Sequence, residues 1–391
     1  MTSDRVKNGL INAALVAGSL VVAFALAEFG LRVIGYSNPV LWIYDDTVGS
    51  RLYAGSEGWF RNEGEAYIKI NSAGLRDREH AIAKPPNTVR IAVLGDSMTE
   101  ALQVAVDKPF WSVLERQLKS CAALKGKDVE VINFGVSGYG TAQELLTYTK
   151  WAAQYSPDAT ILGFYAGNDV RNNSRSLEPN TLRPFFTLRG DNLVIDDGFL
   201  HDPAYVSYKS TFDRRQPFFG FRTFQLMRQI KSIVENWSQA HAAEPRGENL
   251  EAGSDDNVFF PPPTKVWSDA WSVTEKLIVA LRDAVAQNGG RFVVVSIPVG
   301  IQAHPDAEAR KQFMRTRHLD DLWYPDRRMA ELGAREGVDI LTLGQAFQSY
   351  AEKNRVYLYG FANTKLGTGH LNENGHRLIG EALARRFCEM Q

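Results

Sequence analysis

Four short stretches carry side chains able to share one reaction. Gly95-Asp96-Ser97 sets a hydroxyl directly after a β-branched apolar run. Glycine permits a tight exit from a strand, and a serine at the start of the next helical segment has an outward N–H in a place that favours negative charge. The same tripeptide is also ordinary turn chemistry. Asn133-Phe134-Gly135-Val136-Ser137-Gly138-Tyr139-Gly140 is glycine-rich, so its backbone can approach a ligand closely, or it is a plain strand-to-helix loop. Gly167-Asn168-Asp169 offers a side-chain amide to a developing oxyanion, or a turn in which Asn and Asp bond their own backbone. Gly369-His370-Leu371-Asn372-Glu373-Asn374-Gly375-His376 puts one imidazole just before the last helix, with Asn372 placed to cap that helix. His376 falls inside the helix and reads as structural.

The elements around these stretches are those of an α/β sheet. Thr88–Leu94, Val129–Phe134, Ala159–Tyr165, Arg291–Ile297 and Asp339–Leu343 are short apolar runs, the pattern of strands covered on both faces. Phe110–Lys119, Thr141–Gln154, Trp271–Gln287, Asp326–Glu336 and Glu373–Phe387 have helical periodicity. Strand and helix alternate, which predicts a three-layer α/β/α sandwich with a mostly parallel central sheet. Ligands in such sheets bind at the carboxyl ends of strands. The first three stretches sit at strand ends and the fourth opens the last helix, so all four are placed to converge. Alternation stops between about 172 and 265, a stretch rich in aromatics, Arg, Asn and Asp. It reads as a lid-like insertion covering the site, with a hairpin strand at Asp191–Ile195, a helix at Phe224–Trp237 and a mobile polar loop at Ala240–Ser254. Residues 37–86 read as an irregular lead-in with a short strand at Ala66–Ile70, and 87–391 as the α/β domain. Asn71–Asp77 is a loop packed on that domain, and Arg76 within it has a second reading as a substrate clamp.

Taken together, Ser97, Gly138, Asn168 and His370 stand in the order and structural context of the four blocks that name the SGNH/GDSL hydrolases, and from Val89 to the C-terminus, the insertion excepted, the sequence resembles that superfamily. The resemblance implies a serine hydrolase with Ser97 as nucleophile and His370 as its base. It implies an oxyanion hole of the Ser97 N–H, the Gly138 N–H and the Asn168 amide, each such donor worth roughly 2.7–4 kcal/mol of barrier. Asp96, Asp169 and Arg171 are the substrate-binding candidates; Arg171, Asn172, Asn173 and Arg175 suit the mouth of a site for a polar or sugar-like substrate, although exposed polar residues need no function. One departure stands out. The family's usual Asp three residues before the histidine is replaced by Gly367. Either a backbone carbonyl or a more distant acid orients the ring, or Ser97 and His370 work as a dyad.

The N-terminus differs from the rest. Arg5 and Lys7 precede an apolar run from Leu10 to Ala27, extended beyond Glu28 by Phe29, Leu31, Val33 and Ile34. Residues 1–36 are therefore expected to be a transmembrane anchor with an inside N-terminus and an exported body, on the periplasmic side of an inner membrane. The alternative is a signal peptide cleaved at Ala25-Leu26-Ala27. The whole chain of 391 residues has 44% apolar and 23% charged residues and a formal net charge of -1, so no basic field recruits nucleic acid. No C-x-x-C or H-E-x-x-H spacing occurs and no nucleotide-binding glycine pattern, so neither metal nor cofactor is expected. The two cysteines, Cys121 and Cys388, are expected to be free and half-buried rather than paired. The function expected is removal of acyl groups, acetyl among them, from a glycan or lipid-linked substrate. Two other readings compete with it: acyl transfer beside a multi-spanning membrane acyltransferase, and a catalytically silent binding module.

Overall fold

The computed structural model describes residues 2–242 and 255–389. In chain order it places α1 (Thr2–Val33), β1 (Trp42–Asp45), β2 (Gly49–Leu52), β3 (Glu57–Phe60), β4 (Ala66–Lys69), β5 (Thr88–Gly95), the single turn α2 (Ser97–Glu100), α3 (Phe110–Lys119), β6 (Asp128–Asn133), α4 (Thr141–Lys150), β7 (Ala159–Tyr165) and the short α5 (Asp169–Asn172). There follow β8 (Phe185–Arg189), β9 (Asn192–Asp196), α6 (Pro203–Arg215), α7 (Arg222–Ala242), α8 (Lys265–Gln287), β10 (Arg291–Ile297), α9 (Ala307–Arg317), α10 (Tyr324–Glu336), β11 (Asp339–Thr342), α11 (Gly344–Asn354) and α12 (Glu373–Glu389). Most of the expected loop at Ala240–Ser254 lies outside the described residues, since only Ala240–Ala242 falls within α7.

By backbone proximity the chain forms two units. One takes Met1–Val40 and Ser210–Arg246, the other Leu41–Lys209 and Gly247–Gln391. In the larger unit five strands form one sheet in the order β11-β10-β7-β5-β6, every pairing parallel. The apolar runs explain this: Ile91, Val93, Leu94, Ile161, Leu162, Val293, Val294 and Val295 are fully buried, which needs helices over both faces. From β5 the chain steps to the edge strand β6 through α3, then back past β5 to β7 through α4. Right-handed crossovers in opposite directions put α3 and α4 on opposite faces. α3 packs against α12 on its side, and α4 against α8 on the other. The sandwich expected from the sequence is therefore present. The order reverses between β5 and β7, and a crevice opens at the carboxyl ends of strands at such a point.

Two expectations change. Cys121, just after α3, and Cys388, near the end of α12, are joined in a disulfide with their Cα atoms 6.0 Å apart. Sequence separation hid the pair; the packing of α3 on α12 brings it together. The stretch from 172 to 265 is not one lid. The hairpin β8–β9 sets Phe186, Leu188 and Leu193 on Ala142, Val273 and Leu277 of α4 and α8. Ser210–Arg246 belongs with α1 in the smaller unit. From Leu41 on, the lead-in proves to be part of the larger unit. Its ribbons bury Leu41, Val48, Leu52, Ala66, Ile68 and Ile70 with Leu102, Val136 and Tyr139.

Candidate active site

β5 ends at Gly95, and the Asp96 carboxylate caps the turn that follows by accepting from Met98 N at 2.9 Å. This leaves Ser97 as the first residue of α2, half-buried at the carboxyl end of the sheet. His370 arrives from the other end of the chain. It lies in the loop before α12, held by a bridge between Tyr359 and Leu371 and by Gly360 N donating to the His370 carbonyl at 2.9 Å. Asn372 caps α12, accepting from Asn374 N at 3.0 Å and Gly375 N at 3.3 Å. The result brings His370 Nε2 to 3.0 Å from Ser97 Oγ.

The acid that Gly367 fails to supply is Glu63, in the loop joining β3 to β4. One carboxylate oxygen accepts from the His370 backbone N–H at 2.8 Å, and the other makes a short contact with His370 Nδ1. A proton on Nδ1, bonded to the carboxylate, leaves Nε2 as the acceptor facing Ser97. Burial works to raise the Glu63 pKa, but the bonds and charge of His370 outweigh it and hold the carboxyl below its ordinary value. Burial works to lower that of His370, and Glu63, with Asp96 and Glu100 behind it, raises it on balance. Asn363 fixes the loop that carries Glu63: it accepts from Gly64 N at 2.9 Å and donates to the carbonyls of Gly64 and Arg61 at 3.0 and 3.2 Å. The glycines near the histidine fit this arrangement. Gly369, at φ +79°, has no room for a Cβ, which would stand 2.3 Å from a Glu63 carboxylate oxygen. At Gly367 a Cβ would lie 2.8 Å from the His304 ring, so the usual position of the acid is closed.

The oxyanion candidates are held by their neighbours. Arg183 and Asn172 donate to the Gly138 carbonyl, the latter at 3.3 Å, and Ser137 donates its N–H at 3.1 Å and its hydroxyl to Glu100. With its carbonyl and its predecessor tied down, Gly138 is itself exposed, and a Cβ added there would meet nothing within 4 Å. Asn168 sits at the end of β7, and its amide donates to Asp96 at 3.1 Å, which leaves its second N–H for a ligand.

Two of the three substrate-binding candidates, Asp96 and Asp169, are buried in the protein. Asp96 is fully buried, its oxygens taken by Met98 N and Asn168; burial pushes it up to about 6 against those bonds. Asp169 is fully buried too, accepts from Tyr165 N at 2.7 Å, and is raised well above its ordinary pKa by burial and by the neighbouring Glu144 and Asp96. These aspartates brace the strand ends instead. Arg171 faces Glu178 at 3.8 Å and Arg175 pairs with Asp196 at 3.1 Å, while Asn173 bonds Ala142 N and Thr274. Arg76 is buried, donates to the Val104 carbonyl and lies near Glu100 and Asp77, so it clamps the fold and not a substrate. His376 is buried against the Phe110 ring and accepts from Phe110 N at 3.4 Å. Burial, with Arg76 and His370 nearby, pushes its pKa down to about 3, so it stays neutral.

A cleft of about 160 Å³ adjoins Gly138, walled by Tyr44, Ser50, Ser137, Asn180, Arg183 and Tyr208. Glu63 is the one member of the site that sequence reading did not name. It lies 307 residues from His370 in a hairpin with no strand-end pattern, and only the vacancy at Gly367 pointed to a distant acid.

No family model matches the chain, and no curated protein matches it. Among solved structures the chain is similar to an acetyl xylan esterase at 12% identity, covering 76% of this chain and 99% of that one, with a TM-score of 0.39. It is similar to a catalytic mutant of an acetylxylan esterase from Geobacillus stearothermophilus at 12% identity, covering 76% and 93%, with a TM-score of 0.38. It is also similar to a lipase/acylhydrolase from Enterococcus faecalis at 14% identity, covering 77% and 96%, with a TM-score of 0.37.

Proposed function

We propose that this chain is an exported serine esterase of the SGNH/GDSL type that removes short acyl groups from a glycan or other polar alcohol. The observation that carries the reading is the linear contact Glu63–His370–Ser97, with 3.0 Å from Nε2 to Oγ. Ser97 Oγ attacks the ester carbonyl and passes its proton to His370 Nε2. Glu63 stabilises the imidazolium that forms and fixes the tautomer that can accept. The N–H groups of Ser97 and Gly138 and the free N–H of Asn168 receive the oxyanion. His370 then gives its proton to the departing alcohol, leaving an acyl-Ser97 ester. A water, deprotonated by the same Nε2, releases the acid and restores the serine. The cleft beside Gly138, which sets Ser50, Ser137, Asn180 and Arg183 among tyrosines and aliphatic residues, supports a sugar-like alcohol. A silent binding module drew its support from the missing acid, and Glu63 removes that support.

α1 is the membrane anchor in this reading. The helix is long and apolar enough over Arg5–Val33 to cross a bilayer, and most of its large apolar side chains are exposed. The Cys121–Cys388 disulfide suits an oxidising compartment. The test is hydrolysis of p-nitrophenyl acetate by purified full-length protein, with fluorophosphonate labelling of Ser97. Activity and labelling are expected, and both are lost in Ser97→Ala. An unlabelled wild-type serine, or undiminished hydrolysis by Ser97→Ala, sinks the reading.

A further inference from the structure

The smaller unit leaves one helix face unaccounted for by the protein. On α7, Met227, Ile230, Ile233 and Val234 are 52–60% exposed and recur at helical spacing along one stripe. Phe218 and Phe221, in the turn before it, extend the apolar surface. The opposite face is polar and occupied. Gln225 accepts from Asn38 N at 2.9 Å, Gln229 from the Tyr36 hydroxyl at 2.5 Å, and Arg228 donates to the carbonyls of Asn38 and Pro39 at 3.4 and 3.2 Å.

These contacts fix where α7 lies along the N-terminal segment. The apolar run Leu10–Ala27 is about 27 Å long at 1.5 Å per residue, close to the roughly 30 Å core of a bilayer. Glu28 is the first charge after it. Its carboxylate accepts from the N–H groups of Arg222 and Thr223 at 3.0 Å each, and from Arg32 Nε at 2.8 Å. The Phe24 and Phe221 rings meet edge to face at 5.6 Å. α7 therefore begins where α1 leaves its apolar run and proceeds alongside residues 36–39. α1 and the turn before α7 both carry exposed apolar side chains where they meet, Phe24 and Phe221 among them. Along its length α7 carries Arg222, Arg228 and Lys231 against one acid, Glu235.

We infer that α7 is an interfacial helix: its Met227/Ile230/Ile233/Val234 stripe lies in the headgroup boundary of the leaflet where α1 emerges. A cationic helix with one apolar face and no spanning stretch binds a lipid surface in this way. Glu28, costly at the edge of an apolar helix, is there because it caps the N-terminus of α7 and ties it to the anchor. The inference rests on the reading of α1 as a membrane helix and adds a second, in-plane contact to it.

The experiment places an environment-sensitive fluorophore on single introduced cysteines of the full chain, reconstituted in phosphatidylcholine–phosphatidylglycerol vesicles. No free cysteine exists among the described residues to compete for the label. Ile230→Cys reports the stripe, Ser232→Cys the polar side and Leu20→Cys the anchor. Blue-shifted emission at 230, quenched by lipids brominated near the headgroup, with iodide-accessible emission at 232, supports the inference. Iodide-accessible emission at 230 while the probe at 20 is quenched by deeply brominated lipid overturns it and leaves the anchor standing. Emission at 230 that neither quencher reaches also overturns it, since another protein surface then covers the stripe. A water-exposed probe at 20 overturns the anchor reading itself.

Discussion

At the residue scale the site turns on who holds the imidazole. Glu63 takes both the ring N–H and the backbone N–H of His370, so one carboxylate sets tautomer and position together. Glu63→Gln keeps the shape but allows the amide to turn its NH₂ toward Nδ1, which favours the wrong tautomer. We expect kcat to fall roughly 100- to 10,000-fold with little change in KM. Steady-state kinetics on p-nitrophenyl acetate check this, and a loss confined to KM would contradict it. The pH profile follows from the same contact. Glu63 raises the His370 pKa, and only the neutral ring can accept the proton of Ser97. Activity is therefore lost as pH falls through that raised value. In Glu63→Gln the opposing carboxylate is gone, so whatever activity remains should persist to lower pH than in the wild type. An acid limb that does not move would show that another group sets it.

At the element scale, a short hairpin outside the central sheet supplies the carboxylate that the His370 loop lacks. The β3–β4 loop is held by Asn363 through three hydrogen bonds, and Asn363 precedes His370 by seven residues. Acid and base thus ride on two loops bound to each other. Asn363→Ala should loosen Glu63 and lower kcat by roughly 10- to 100-fold while fluorophosphonate still labels Ser97, since misplacing a catalytic group by about 1 Å costs on that order. Unchanged kcat would mean that the hairpin holds its own conformation. The same elements mark how far the sequence could be read. β5, β6, β7, β10 and β11 were legible because strands buried on both faces are apolar throughout, and each ends near where the pattern stops. Ser97, Gly138 and Asn168 were legible because they follow such strands. Glu63 was not: β4 is legible as a short strand at Ala66–Ile70, but Glu63 lies in the turn before it, where nothing in the local pattern points to a histidine 307 residues away. The 172–265 stretch looked like one insertion because composition is blind to packing. Phe186, Leu188 and Leu193 belong on α4 and α8, and Phe221 on α1.

Across the larger unit, one covalent link joins elements 267 residues apart in the chain. Cys121 follows α3 and Cys388 lies in the last turns of α12, so the disulfide closes a loop over most of the domain. α3 and α12 already pack face to face, with Phe110 on His376 at a ring distance of 6.1 Å. The link therefore adds little to a native interface that packing has formed. Its effect is on the unfolded chain, which it denies a large set of open conformations, or on the solvation of that state. Removing such a bridge costs about 2–5 kcal/mol. Cys388→Ala, or reduction of the wild type, should lower the unfolding free energy by that amount, seen as a lower denaturant midpoint, and leave kcat nearly unchanged, because α12 keeps its cap at Asn372 and His370 lies at the other end of that helix. Urea titration followed by fluorescence, run beside the esterase assay, separates the two quantities. If reduction abolished kcat while the folded fraction stayed high, then α12 would be steering His370 through the bridge. If neither quantity moved, the link would be dispensable to stability.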